Sequence, residues 1–288
     1  MDRVGRIGPR GSYDPRRARH AGVPLAAVLA ASSVAACTRP EGREPEPLRV
    51  AAAADLSFAF RELGATYERA TGRKVVFSFG STGLLEKQIA EGAPFDVFAA
   101  ANVSFAEDAI EANACLPESK ALYAVGRLVL VPTASKGEPF AARSLSDLTD
   151  ARVKRIAIAN PSHAPYGRAA QQALRRAGLW DAVSSKIVYG ENVQQALQFV
   201  QTGNADAAIV ALSLVIAGSR DWTPISPDLH DRLDQALVVC THGKAGVEAG
   251  RRFASYVGSV EGRAVMRKYG FVLASESIAG ATPGNTQP

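Results

Sequence analysis

Between positions 74 and 91 the chain reads KVVFSFGSTGLLEKQIAE, a β-branched and aromatic run that stops at Gly80 and gives way at once to apolar residues at helical spacing. A strand that runs into a helix through Gly-Ser-Thr-Gly leaves the first helical amides without partners inside the helix. Gly80 and Gly83 remove side chains where the backbone turns, and Ser81 and Thr82 set hydroxyls beside those amides. The product is a small, uncharged cradle suited to an anion. Ser and Thr also cap helices where no ligand binds, so the pattern gains meaning only through recurrence.

It recurs three times. LRVAAAA at 48–54 reads as a buried parallel strand, and after Asp55 the residues Leu56, Ala59, Phe60, Leu63 and Tyr67 fall on one helical face. The strand at 155–159 leads through the loop at 160–167 into a helix over 168–177, and the strand at 186–190 meets Glu191-Asn192-Val193 at the start of a helix that ends at Gly203. Further strands are expected at 97–100, 127–132, 207–212 and 235–240, and helices at 104–112, 246–257 and 260–269, with a short capped helix at 144–148. Strands alternating with helices define an α/β fold with mainly parallel sheets. Ligands of such sheets sit at the carboxyl ends of strands, against helix N-termini. Two of the four junctions lie in each half of the chain, so two lobes can close on one ligand from opposite sides.

The charge balance excludes several partners. The chain of 288 residues has a net charge of +5, but six Arg and two Asp within residues 1–36 carry +4 of it, leaving +1 for the rest. Without a basic patch there is no case for nucleic acid. The basic start is followed by the uncharged stretch AGVPLAAVLAASSVAA at 21–36 and then Cys37, the pattern of an export signal over residues 1–36. Val34-Ala35-Ala36-Cys37 resembles the lipobox of bacterial lipoproteins, which implies a lipid on Cys37 and an anchored protein; residues 37–47 would form the tether. Residues 275–288 lack apolar periodicity and are expected to be disordered. Of the remaining cysteines, Cys115 and Cys240 could pair in an oxidising compartment or stay as two buried thiols. The four His stand singly, where surface or structural roles are the default, and no spacing points to a metal centre.

Taken together, AAAADL (51–56), FGSTG (79–83), GAPFDVFAAA (92–101), ANPSHAPYG (159–167), GENVQQALQFVQTGNADAAIVALS (190–213) and KYGF (268–271) resemble the periplasmic molybdate-binding proteins of ABC transporters. The resemblance covers about residues 48–271 and implies a two-lobed type II periplasmic-binding-protein fold with the ligand cleft between the lobes. Its first lobe would comprise 48–126 and 236–274 and its second 127–235, with crossing strands near 127–131 and 236–240. It implies an extracytoplasmic, lipid-anchored monomer that needs no cofactor, holds molybdate or tungstate and delivers it to a permease and its ATPase. By the same resemblance, Asp55, Thr82, Tyr166 and Val193 would hold the oxygens of the anion, with Ser81 assisting; Tyr166 and Val193 would act through their main-chain N–H groups.

Two positions depart from the family pattern. Asp55 stands where a Ser or Asn is usual, and Ala211 stands where one branch has a Tyr, leaving Ser213 as a substitute donor. A carboxylate beside a dianion is repelled. Two arrangements relieve this: Asp55 turns away as the N-cap of the next helix, accepting from the Ser57 or Phe58 amide, or its carboxyl shares a proton with the ligand. The alternatives to molybdate are another tetrahedral oxyanion, namely sulfate, tungstate or a protonated phosphorus oxyanion, or an enzyme using Ser81 or Thr82 as nucleophile. The enzyme reading lacks a GxSxG elbow, a phosphate loop and an evident His base.

Overall fold

The computed structural model describes residues 45–133, 142–218, 221–273 and 276. The export signal, Cys37 and all of the C-terminal tail except residue 276 therefore lie outside the described residues.

The chain begins with β1 (Leu48–Ala53), a single 3-10 turn (Ala54–Leu56) and α1 (Ser57–Thr71), then β2 (Val75–Gly80), α2 (Thr82–Ala90), β3 (Val97–Ala100) and α3 (Val103–Glu111). Next come β4 (Ala121–Gly126), β5 (Leu128–Pro132), β6 (Ile156–Ala159), α4 (Pro165–Arg176), the one-turn α5 (Trp180–Val183), β7 (Ile187–Gly190), α6 (Val193–Gln201) and β8 (Ala207–Ala211). The short β9 (Thr223–Pro224), β10 (Leu233–Val239), α7 (Val247–Val257) and α8 (Val260–Lys268) complete the order.

The strands form two five-stranded sheets, β2-β1-β3-β10-β4 and β7-β6-β8-β5-β9. Each centres one lobe. In the first, β1 pairs in parallel with β2 and β3, while β10 runs antiparallel to β3 and β4. In the second, β6 is parallel to β7 and β8, while β5 is antiparallel to β8 and β9. The sheets are thus evenly mixed rather than mainly parallel. The reason is that one strand in each sheet, β10 in the first and β5 in the second, runs against the other four where the chain passes between lobes.

Most of the periodicity reading holds in detail. α1 buries Ala59, Phe60, Leu63 and Tyr67, and its ring Phe60 lies 5.9 Å from Phe77 of β2. Three differences exceed a shift of one residue at an element's end and bear on the site or the lobe crossing. Residues 121–126 form β4, where the sequence reading expects no strand ahead of the one at 127–132. Helix α4 starts at Pro165 instead of 168, because Pro suits the first helical position. The return to the first sheet begins at Leu233, opposite Gly126, rather than at 236.

The lobes repeat one supporting device. The Asp96 carboxylate, just before β3, accepts from the Arg49 amide of β1 (2.7 Å) and the Ala245 amide (2.8 Å). Asp206, just before β8, accepts from the Lys154 and Arg155 amides ahead of β6 (2.8 Å each). Both tie neighbouring strands at the end of the sheet away from the helix N-termini. At that same end of the first lobe Cys115 and Cys240 are joined by a disulfide, which settles the choice between a pair and two free thiols.

Candidate functional site

Three helices and one 3-10 turn start around a single small cavity, lined by Ala53, Ala54, Asp55, Gly80, Ser81, Thr82, Ala101, Ala164, Pro165, Tyr166, Asn192 and Val193. All five residues named from the sequence, Asp55, Ser81, Thr82, Tyr166 and Val193, line it. The first three come from the first lobe and the last two from the second.

The unpaired donors can be located by elimination. The first amides of a helix have no partner within it. In α2, Leu84 and Leu85 bond back to the Ser81 carbonyl and Gly83 donates to the His163 carbonyl, which leaves the Thr82 N–H. In α4, Pro165 has no N–H, and Gly167 and Arg168 bond to the Ala164 carbonyl, leaving Tyr166. In α6, the Asn192 side chain takes the Gln194 and Gln195 amides (3.0 Å each) and its carbonyl takes Ala196, leaving Val193. Each helix therefore keeps one N–H over, and each belongs to a residue of the cavity wall. The Thr82 hydroxyl accepts weakly from the Ala101 amide (3.4 Å), so its own proton is available to a ligand. The positive ends of the helix dipoles add favourable potential for an anion.

Ser81 is used differently. Its hydroxyl donates to the His163 carbonyl (2.9 Å) and lies 2.7 Å from Nδ1 of the same residue. With its single proton given to the carbonyl, the hydroxyl accepts from Nδ1–H. Gly83 permits this contact: a β-carbon there would stand 2.9 Å from both the His163 carbonyl and the Phe105 ring. Arg168 adds a second bridge, its guanidinium 5.0 Å from the centre of the Phe105 ring. His163 thus joins the lobes at the cleft edge, a role that its isolated position in the sequence did not signal.

Asp55 does not cap α1. It sits inside the 3-10 turn, is 1% exposed, and its Oδ2 accepts from Gln235 Nε2 at 2.6 Å. Gln235 is oriented by Tyr123, whose hydroxyl donates to Oε1 (2.9 Å), and its Nε2 also reaches the Tyr166 hydroxyl (3.3 Å). Burial pushes the Asp55 carboxyl up to about 6, against the pull of the Gln235 hydrogen bond and of the nearby Tyr166 hydroxyl and Asp55 amide. Burial, and then the Asp55 charge, hold both tyrosines well above their usual range. The Tyr166 side chain is therefore part of the site's support, not an interchangeable carrier of its amide. Gly126 leaves room for its hydroxyl, since a β-carbon there would collide with it. Ser213 donates to the Asp55 carbonyl (2.7 Å) and is not the substitute donor at the Ala211 position. Gln235 was missed in sequence reading, although an amide within the apolar run LDQALVV is itself a signal of a buried polar contact.

A two-lobed α/β body that turns single helix amides from both lobes onto one small cavity has the architecture of a solute-binding protein. The chain belongs to the bacterial extracellular solute-binding proteins, with the family pattern matched over residues 48–272. Among its relatives, the molybdate-binding protein ModA of Azotobacter vinelandii is 37% identical over 231 residues, covering 78% of this chain and 90% of that protein. The ModA of Rhodobacter capsulatus is 34% identical, covering 77% and 86%. A putative ABC transporter substrate-binding lipoprotein of Bacillus subtilis, YvgL, is 31% identical, covering 86% and 96%. The structure of the Azotobacter vinelandii periplasmic molybdate-binding protein superposes with a TM-score of 0.74 at 30% identity, covering 78% of this chain and 99% of that one, and has the same two-lobed fold.

Proposed function

We propose that the protein captures molybdate, and tungstate with it, between its lobes outside the cytoplasm and delivers it to an ABC permease and its ATPase. The observation that carries this reading is the convergence of the Thr82, Tyr166 and Val193 amides and the Thr82 hydroxyl on one cavity. Hydrogen bonds to a charged group contribute about 1.5–3 kcal/mol each, so several such donors offset the desolvation of a dianion without a fixed cation. Neutral donors leave the choice among tetrahedral anions to cavity size. The molybdate-binding names of the relatives favour molybdate over sulfate, and tungstate shares its shape and charge. Binding is favoured over transformation because the relatives are named for binding molybdate, and of the two candidate nucleophiles, Ser81 and Thr82, the first spends its proton on a carbonyl. Lipid attachment at Cys37 fits the lipoprotein name of the Bacillus relative, and Cys37→Ala should move the protein from the membrane to the soluble fraction.

Thermal unfolding with a panel of oxyanions tests the ligand. A ligand at 100 times its Kd stabilises the folded state by about 2.7 kcal/mol. Molybdate and tungstate should raise the melting temperature at concentrations where sulfate and phosphate do not. A rise with sulfate alone would replace molybdate as the cargo.

A further inference from the structure

Asp55 lines the oxyanion cavity, yet its carboxyl is only half satisfied. Oδ2 is held by Gln235, whereas Oδ1 is buried without any partner among the described residues. A buried carboxylate oxygen left alone is costly, and a dianion arriving beside it adds repulsion. A proton on Oδ1 removes both penalties at once. It turns the orphan acceptor into a donor on a residue that shares the cavity wall with the three helix amides. We propose that Asp55 binds the oxyanion as a neutral carboxylic acid, donating from Oδ1, so that the site takes up one proton from solvent with each dianion.

The surroundings are built to allow it. The groups facing the carboxyl are the hydroxyl of Tyr123 from β4, the hydroxyl of Tyr166 from α4 and the amide of Gln235 from β10, with Ser213 on its main-chain carbonyl. Both tyrosines stay protonated at any physiological pH, so no cation among these groups holds the carboxylate ionised. The free carboxyl, at about 6, stands where ligand binding can draw a proton onto it. His163, the nearest imidazole on the cleft edge, contacts Ser81 and not this cluster. This inference rests on the molybdate reading and specifies the form in which that site works.

Calorimetric titration of the intact protein with molybdate, in buffers of different ionisation enthalpy, counts the protons taken up. Wild type should bind close to one proton per molybdate at pH 7.5. If only the protonated form binds, its fraction falls from one half at pH 6 to roughly one in a hundred at pH 8, so the affinity should drop about 50-fold across that interval. Asp55→Asn, whose amide donates permanently from the same place, should bind molybdate with no proton uptake and little pH slope. Wild-type binding without proton uptake would overturn the proposal while leaving the molybdate reading intact, and so would a slope that survives in Asp55→Asn. Should that variant fail to fold, the wild-type proton count decides alone. Absence of molybdate binding at every pH would instead refute the molybdate reading and this inference with it.

Discussion

The His163 carbonyl accepts the Gly83 amide at 2.9 Å across the cleft, while the Ser81 hydroxyl bonds to the same carbonyl and lies against the imidazole. One residue of the second lobe thus clasps the start of α2, next to the Thr82 amide that faces the cavity. The contact links closure to binding, since the lobes must meet for the clasp to form.

His163→Ala keeps the carbonyl contacts and removes the imidazole. The lost hydrogen bond, about 1 kcal/mol, should speed molybdate release roughly fivefold with little effect on association. Stopped-flow displacement measures this. Because Nδ1–H donates in both the neutral and the charged imidazole, the clasp should not open on acidification.

The disulfide between Cys115 and Cys240 closes a loop of 125 residues at the far end of the first sheet from the cavity. Removing it with a Cys115→Ser, Cys240→Ser double variant should cost about 2–4 kcal/mol in denaturant unfolding. Molybdate affinity should stay within about twofold of wild type, since neither residue lines the cavity.

Much of this architecture is legible in the residue pattern because each helix start is written locally, in Gly-Ser-Thr-Gly, Pro-Tyr-Gly and Asn-Val. What escaped depends on distance. β4 was hidden because ALYAVG leads straight into the stronger apolar run RLVLVP with only Gly126 and Arg127 at the join, and the sheet partners are what separate the two. Tyr123 and Gln235 lie 112 positions apart, so the cage around Asp55 has no local signature. The local capping preference of Asp favoured an N-cap, but a tertiary amide at 2.6 Å holds the carboxyl elsewhere. KYGF, visible as a motif, proves to be support for the lobe crossing: the Gly270 carbonyl accepts from Arg127, the residue between β4 and β5.

Asp55 also sets a pH dependence for the ligand-free protein. Its carboxyl stands at about 6 when folded, above the ordinary 3.8 expected when unfolded. A raised folded value favours folding fully below the unfolded pKa, and that contribution is lost as pH rises through the folded one. Relative to wild type, Asp55→Asn should gain stability between pH 4 and 6 and reach a plateau above pH 7, on the order of 3 kcal/mol. Urea unfolding of both proteins at pH 4, 6 and 8 checks the sign; a constant difference across the three would show that the carboxyl titrates normally.

The position of the bound metal tests the central claim most directly. Crystals grown with molybdate and measured at the molybdenum absorption edge should show one strong anomalous peak, with oxygens within hydrogen-bond reach of the Thr82, Tyr166 and Val193 amides. A peak at any other place on the protein, or none at saturating molybdate, would contradict the account.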